Sequence, residues 1–316
     1  MQYPASHFEL LILDFDFSAL NFSQLELRPP ASWRDYELLD SGEFEKLERF
    51  GPYVLIRPEP QAIWQRTLPD WKKRAYAHFT REQQDKFRFT DDVKGGWKRL
   101  KEMPESWNIS YRYNDLNLNL RLALTGFGHV GIFPEQGDNW NFIYDTLRAW
   151  KVTQPRVLNL FAYTGAASVV ARTAGAEVTH CDASRPGLNW ANQNMQLNGL
   201  QDIRWVYEDA LKFVKREVKR GNRYHGIIMD PPPYGRGPDG EKWTLQEKLD
   251  ELVGLSAQLL HPESRFFILS LYAVGLSAVV GANVVGTHFP QARLELGEFY
   301  LPGPRPLPMG TFVRFE

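Results

Sequence analysis

From Val157 onward the apolar positions fall into short continuous runs separated by longer stretches with helical spacing. Val157, Leu158, Leu160 and Phe161 form the first run. Val178 and Thr179 begin the second, which stops at Asp182, and Ile203–Tyr207, Gly226–Asp230 and Phe266–Ser270 follow. Runs this short and this apolar suit parallel strands covered on both faces. Between them, AASVVARTAGA predicts a helix of small residues that Gly175 can end. Pro186 opens a helix to Gly199, LKFVKREVKR is amphipathic, and Thr244–Leu260 predicts a long helix. Phe142–Trp150 predicts a helix feeding the first strand, and residues 274–287 a loose one. Arg293–Tyr300 and Thr311–Phe315, around a proline-rich turn, predict a closing antiparallel hairpin. Strands alternating with helices predict an α/β fold with a parallel sheet.

Upstream the pattern is different. YELLD, FEKLERFG and YVLIRP are short strand-like pieces divided by Ser41-Gly42 and Gly51-Pro52, and Ile109–Tyr113 and Leu116–Leu124 alternate with period two. The chain therefore divides into an arm over 1–35, a smaller α+β domain over 36–135 and an α/β domain over 136–316. In the arm, FELLILDFDF alternates apolar and acidic residues as an edge strand does, before Pro29-Pro30 breaks any regular element.

Composition narrows the classes. The chain has 316 residues, 43% hydrophobic, with a net charge of −1, so a full core can form and no global charge draws it to nucleic acid. No apolar run spans a bilayer, and no signal peptide is read. The single cysteine, Cys181, excludes an internal disulfide or a cysteine metal cluster and points to a reducing cytoplasm; no metal is expected. Local charge is uneven. Between Arg66 and Lys101, basic residues such as Lys72, Lys73, Arg74, Lys86, Arg88, Lys98 and Arg99 interleave with Trp71, Tyr76, Phe79, Phe87, Phe89 and Trp97. That mixture suits a surface gripping phosphates and stacking bases; it equally suits a solvated helical excursion with core aromatics. The basic helix at 211–220 reads as a solvated face or a nucleic-acid contact.

Candidate chemistry centres on Arg156–Asp182. Strand, glycine-bearing turn, helix and a second strand ending in an acid make the layout that holds a nucleoside. The helix start offers free backbone N–H groups to an anion, and Asp182 can take two ribose hydroxyls. The turn LFAYTGAAS carries one glycine, not three, and its side chains would clash with a pyrophosphate. An adenosine with an amino-acid tail asks for less room, so S-adenosylmethionine (SAM) fits better than NAD. A second site follows the fourth strand in DPPPYGRG, residues 230–237. The strand ends at Phe161, Asp182, Asp209 and Asp230 should converge on one crevice. There Pro231, Pro232 and Pro233 fix the backbone and offer carbonyls to a planar amine or amide. Tyr234 offers a ring for stacking, Asp230 an acceptor for the nucleophile's N–H, and Arg236 a contact for a phosphate.

VLNLFAYTGAAS, HCDAS, EDALKFV and DPPPYGRG, in this order and spacing, resemble the class I SAM-dependent methyltransferases of the large-subunit rRNA type. The resemblance covers roughly residues 36–316, and within it YELLDSGEFEKLERFGPYVLIRPEP and GIFPEQGDNW resemble the small N-terminal domain of one bacterial branch. It implies a Rossmann-like sheet, mostly parallel, with a reversed last strand. It assigns Phe161, Tyr163, Thr164 and Gly165 to the methionine end of SAM, Asp182, Ala183 and Ser184 to the ribose, and Asp209 and Ala210 to the adenine. Asn159, Asp230, and Phe133 and Gln136 of the GIFPEQ lid complete the cofactor set; Asp230, Pro231, Pro232 and Tyr234 form the catalytic set. Two features depart from the pattern. Cytosine-C5 members carry a cysteine just after the fifth strand, where LSLYAVGLS has Ala273, so a nitrogen or oxygen acceptor is favoured over carbon. The aromatic residue also comes one position later than in D/N-PP-Y amine methylases. RNA methylation, methylation of a small molecule or protein, and a SAM- or RNA-binding module without turnover are the competing functions. A dehydrogenase, a P-loop nucleotidase, a zinc hydrolase and a serine hydrolase lack their motifs here.

Overall fold

The computed structural model describes residues 25–30, 33–81, 95–272 and 276–316. The apolar–acidic stretch 8–17, the basic and aromatic residues of 82–94, and Ala273 lie outside the described residues. The first element among the described residues is β1 (Leu25–Arg28). A small sheet follows, of β2 (Tyr36–Gly42), β3 (Glu45–Phe50), β4 (Tyr53–Pro58), the one-turn helix α1 (Trp71–Arg74), β5 (Ala77–Arg81) and β6 (Gly95–Arg99). Its order is β2-β3-β4-β5-β6, with β4 and β5 parallel and the other pairs antiparallel. The hairpin β7 (Ser106–Tyr113) and β8 (Leu116–Ala123) comes next.

A 3-10 turn at Pro134–Gln136 leads into α2 (Gly137–Ala149). Strands and helices then alternate: β9 (Arg156–Leu160), α3 (Ala166–Thr173), β10 (Glu177–Asp182), α4 (Arg185–Leu197), β11 (Ile203–Tyr207), α5 (Ala210–Lys219) and β12 (Gly226–Met229). A small hairpin, β13 (Tyr234–Arg236) and β14 (Lys242–Thr244), precedes α6 (Leu245–Leu259), β15 (Phe266–Leu271), α7 (Ala278–His288), β16 (Glu295–Leu301) and β17 (Leu307–Phe315). The large sheet runs β1-β16-β17-β15-β12-β9-β10-β11, and β17 alone is antiparallel to its neighbours. The α/β class and the reversed last strand agree with the sequence. That strand is not at the edge: it lies between β15 and β16.

The runs at 157–161 and 226–230 became central strands because both faces are covered. Val157, Leu158, Leu160, Ile227 and Met229 are buried, as is all of β15. One continuous core joins the small sheet, the β7–β8 hairpin, α2 and α3. The hairpin is fastened to α4 by backbone–side-chain pairs. Asn198 accepts from the Asn119 amide and Asn194 from that of Arg121, while Trp190 donates to the Arg121 carbonyl.

The segment 66–101 is corrected by the structure. It is not a helical excursion: one helical turn and two strands occupy its described part. Trp71 and Phe79 are buried, and Tyr76 and Trp97 pack on the core, so these rings are structural. Lys72, Lys73, Arg74, Lys98, Arg99 and Lys101 are exposed. Helix α5 behaves as a solvated face, since Lys212 pairs with Asp239 and Glu241, Lys215 with Glu251 and Arg216 with Glu208.

Charges are buried under the small sheet. Glu48 accepts two bonds from Arg57, at 2.7 and 2.9 Å, and one from the Tyr36 hydroxyl at 2.9 Å. Lys46 bridges to Glu59 at 3.1 Å. Glu135, in the 3-10 turn, is buried against this group, and its Oε2 has no hydrogen-bond partner among the described residues. Burial pushes its carboxyl up to about 7, against the pull of Lys46 and Arg57 and with the Glu48 charge adding to the rise. A raised acid binds its proton more tightly in the fold than in the unfolded chain. Its contribution is therefore full below the unfolded pKa of 4.5 and lost as pH rises through about 7. We expect Glu135→Gln to match the parent at pH 4.5 and to exceed it at pH 8, by up to the order of 3 kcal/mol. Thermal unfolding at the two pH values checks this; a difference that does not change with pH counts against it.

Candidate active site

Strands β12, β9, β10 and β11 are adjacent and parallel, so their carboxyl ends open on one side of the sheet. Phe161, Asp182, Asp209 and Asp230 meet there, as the sequence predicts. The turn after β9 is strained. Phe161 (φ 54°), Tyr163 (φ 46°) and Gly165 (φ 80°) are all left-handed, and two of the three carry bulky rings. At Phe161 and Tyr163 such conformations cost roughly 1–3 kcal/mol each and persist only where the surroundings impose them, whereas Gly165 adopts its angle freely. Here Asp182 Oδ2 accepts from the Tyr163 N–H at 2.7 Å, and Thr164 Oγ1 donates to the Gly131 carbonyl at 2.6 Å. Asn194 Nδ2 donates to the Thr164 carbonyl at 2.8 Å, and the Phe161 ring lies 4.8 Å from that of Trp243. At Gly165, which caps α3, a Cβ would stand 2.8 Å from the Ala191 Cβ. Glycine is needed there for both the backbone angle and the close approach.

Asp182 organises the floor. Its Oδ1 accepts from the Ser184 N–H at 2.7 Å, so each oxygen already holds one backbone amide and keeps a further lone pair. Burial pushes its pKa up, and the two amides oppose that rise. Ser184 caps α4 by accepting from the Gly187 N–H at 3.1 Å, with Ala183 between the two. Asp209 caps α5, accepting from the Lys212 N–H at 2.9 Å, and Ala210 is the buried first residue of that helix.

Around the turn stands a rim of rings. Phe133 lies 5.9 Å from Tyr163, 6.4 Å from Tyr272 and 5.3 Å from His129. Gln136 accepts from Asn139 Nδ2 at 2.8 Å, and Asn139 Nδ2 also donates to Ser270 at 3.2 Å, at the end of β15. The lid segment is thereby tied to the sheet. Asn159 lies on β9 two residues before the turn. It is buried and donates to Ser168 Oγ at 2.9 Å, which stands 3.0 Å from His180 Nδ1. Burial holds that imidazole neutral, with its pKa pushed down to about 3. Asn159 thus braces the start of α3 from beneath.

The proline segment needs a correction. Its carbonyls are not all open acceptors: Pro232 accepts from Trp243 Nε1 at 2.6 Å and Pro233 from the Leu245 N–H at 3.0 Å. The first donor lies on β14 of the small hairpin and the second is the first residue of α6. Pro231 is buried at the crevice, Asp230 is half-buried, and Tyr234 is 53% exposed at the start of β13 with Arg236 on the same strand. Sequence reading missed Trp243, His180 and Trp190. It also missed Gly131, where a Cβ would collide with the Trp190 ring. A glycine inside the run Val130–Ile132 was the available signal for close packing.

A model of the S-adenosylmethionine-dependent methyltransferase family matches residues 33–262, well over half of the chain. The chain belongs to this family. A SAM-dependent methyltransferase structure from Agrobacterium tumefaciens is 34% identical, with a TM-score of 0.85, covering 93% of this chain and 94% of that one. A methyltransferase structure from Streptococcus mutans shares the fold at 17% identity and a TM-score of 0.66, covering 89% of this chain and 74% of that one. A ribosomal RNA large subunit methyltransferase K/L from Shewanella frigidimarina is 35% identical over 146 residues, 45% of this chain and 20% of the relative. The chain thus spans about a fifth of the length of the curated relatives it matches.

The donor set fits SAM. A carboxylate at the end of β10 suits a vicinal diol, the first turn of α3 presents N–H groups to a carboxylate, and the ring rim suits a sulfonium cation. Among the described residues no helix is long and apolar enough to cross a membrane.

Proposed function

We propose that this methyltransferase modifies a base nitrogen of RNA, ribosomal RNA foremost, by direct in-line transfer without a covalent cysteine. The observation that carries the reading is the adjacency of Asp230 and the proline segment to the turn above Asp182, in one crevice with an exposed ring, Tyr234, at its mouth. The rRNA large subunit methyltransferase relatives support RNA as acceptor. Cys181 supports the absence of a thiol nucleophile: it is buried, and burial pushes its thiol well up, with the charges of Asp182 and Glu208 adding to that.

When bound, SAM supplies a methyl group already activated by its sulfonium charge. The work left to the chain is positioning. Asp182 holds the ribose, with Ala183 and Ser184 shaping its edge. Asp209 and Ala210 border the adenine. Phe161, Tyr163, Thr164 and Gly165 shape the methionine end, under the lid residues Phe133 and Gln136. Asn159, at the base of the turn, completes the set and is itself held by Ser168. Asp230 accepts the hydrogen of the attacking N–H, Pro231 and Pro232 keep its backbone fixed, and Tyr234 stacks on the base. Residues 36–135 serve substrate recognition, beside a SAM-binding unit over 136–316. A reducing cytoplasm suits the lone thiol.

The test is transfer of labelled methyl from SAM to protein-free rRNA. Asp230→Ala should retain SAM binding and lose transfer, and Tyr234→Ala should lower kcat/KM by roughly 5- to 100-fold, the worth of one base stack. Label appearing in the protein or small-molecule fraction, and not in RNA, would overturn the acceptor. SAM binding with no fraction labelled would favour a binding module.

A further inference from the structure

The turn Thr125–His129 joins β8 to the lid and is held from all sides. Thr125 N–H donates to the His129 carbonyl at 3.1 Å, and Gly128 N–H to the Thr125 carbonyl at 3.2 Å. Trp97 Nε1 donates to the Thr125 carbonyl at 2.7 Å, and Arg57 reaches the Gly128 carbonyl at 3.4 Å. At its tip, between Gly126 and Gly128, the Phe127 ring is 68% exposed. A scattered surface phenylalanine needs no explanation. This one is held on a rigid turn, and two residues on, His129 meets the Phe133 and Tyr163 rings of the crevice rim.

The same turn leans on β6, and Trp97 and Arg99 share one face of that strand. Beyond Arg99 lies an open groove of about 830 Å³ lined by Tyr53, Arg99, Leu100, Lys101, Glu102 and Met103, with Pro104 at its end. Its cations are fixed in place. Arg99 donates to the Met103 carbonyl at 2.9 Å. Lys101 donates to the Arg74 carbonyl at 3.1 Å, with its ammonium 5.0 Å from the Tyr76 ring centroid. Tyr53 and Tyr76 meet edge to face at 5.2 Å. Glu102 is the acid among the described lining residues, set against Arg99, Lys101 and the adjoining, exposed Arg74.

We propose that this groove and Phe127 form one track that leads single-stranded RNA to the crevice, with Trp97 holding the turn between them, an inference that rests on the RNA reading above. Arg74, Arg99 and Lys101 hold phosphates, and Phe127 stacks on a base close to the one delivered to Tyr234. Cations along the groove, and an exposed ring on the turn to which the neighbouring strand is bonded through Trp97, match the alternating charge and π-faces of an unpaired strand. A protein partner would favour a broader apolar patch than one ring.

The experiment measures binding of protein-free large-subunit rRNA by gel shift across salt concentrations, with SAM binding in parallel. Phe127→Ala should weaken RNA binding roughly 5- to 100-fold with little change in salt dependence. Arg74→Glu with Lys101→Glu should weaken it at least about tenfold and flatten the salt dependence. Both should bind SAM as the parent does. Parent-like RNA binding and methylation in both variants would overturn the track and leave the RNA reading standing. A parent that labels only protein would sink both. Unchanged RNA binding with loss of label in a ribosomal-protein fraction would assign the surface to a protein partner and overturn the track.

Discussion

Replacing Asp182 by alanine is expected to abolish SAM binding, by about a hundredfold or more, while leaving the fold nearly as stable. The carboxylate has two duties on opposite sides. Downward, it holds the amides of Tyr163 and Ser184 at 2.7 Å each. Upward, in the proposed function, its remaining lone pairs accept from the ribose hydroxyls. Hydrogen bonds to a charged group are worth about 1.5–3 kcal/mol each, so losing two reaches the stated factor. Stability changes little because burial already disfavours the charge, and water in the crevice can solvate the two amides. Asp182→Asn should fare little better, since its amide nitrogen would face a backbone donor. Calorimetric titration with SAM, beside a thermal melt, checks both halves. Near-normal affinity in Asp182→Ala would remove Asp182 from the cofactor site.

Removing one partner of the Glu48–Arg57 pair is expected to give the largest loss of stability, about 3–5 kcal/mol for Arg57→Ala. Glu48 is fully buried. Burial pushes its carboxyl up, but the Arg57 and Lys46 charges and the bonds from Arg57 and Tyr36 outweigh it and hold the pKa below the usual value. A depressed acid contributes stability above its unfolded pKa and loses it as pH falls, so the pair's worth should fade below about pH 4.5. Arg57→Ala leaves that carboxylate stranded and also frees the Gly128 carbonyl. Replacing both residues by apolar side chains of similar volume should cost much less than either single change. Urea unfolding at pH 7 and pH 4 for the two singles and the double decides it. Additive losses would mean that the pair is not coupled.

The crevice was legible because parallel strands covered on both faces are written as short apolar runs, and their last residues must lie side by side. Asp182 and Gly165 could be found for that reason. What the sequence concealed depends on distant partners. The carbonyls of Pro232 and Pro233 looked open because their donors are remote in sequence: Trp243 sits on a hairpin that no local signal announced, and Leu245 opens α6, whose start the sequence did not place against the prolines. Helix α2 begins at Gly137, ahead of the expected Phe142, in residues with poor helix propensity. There the Gly137 carbonyl accepts from the Tyr111 hydroxyl at 3.1 Å, and Asp138 pairs with Arg314 at 2.7 Å. The aromatics of 66–101 were ambiguous because core and stacking surfaces use the same residues, and only burial separates them. Phe127 drew no attention at all, since an exposed ring is defined by what does not touch it.

The position of β17 bears on how the chain reaches its fold. Because this strand slots between β15 and β16, the flank of β15 has nothing to pair with until residues 307–315 have been translated and have threaded into the gap. Until then a largely apolar strand offers its backbone to any passing chain. Nascent protein that stalls between those two segments should therefore be the form most prone to aggregate and most in need of a chaperone.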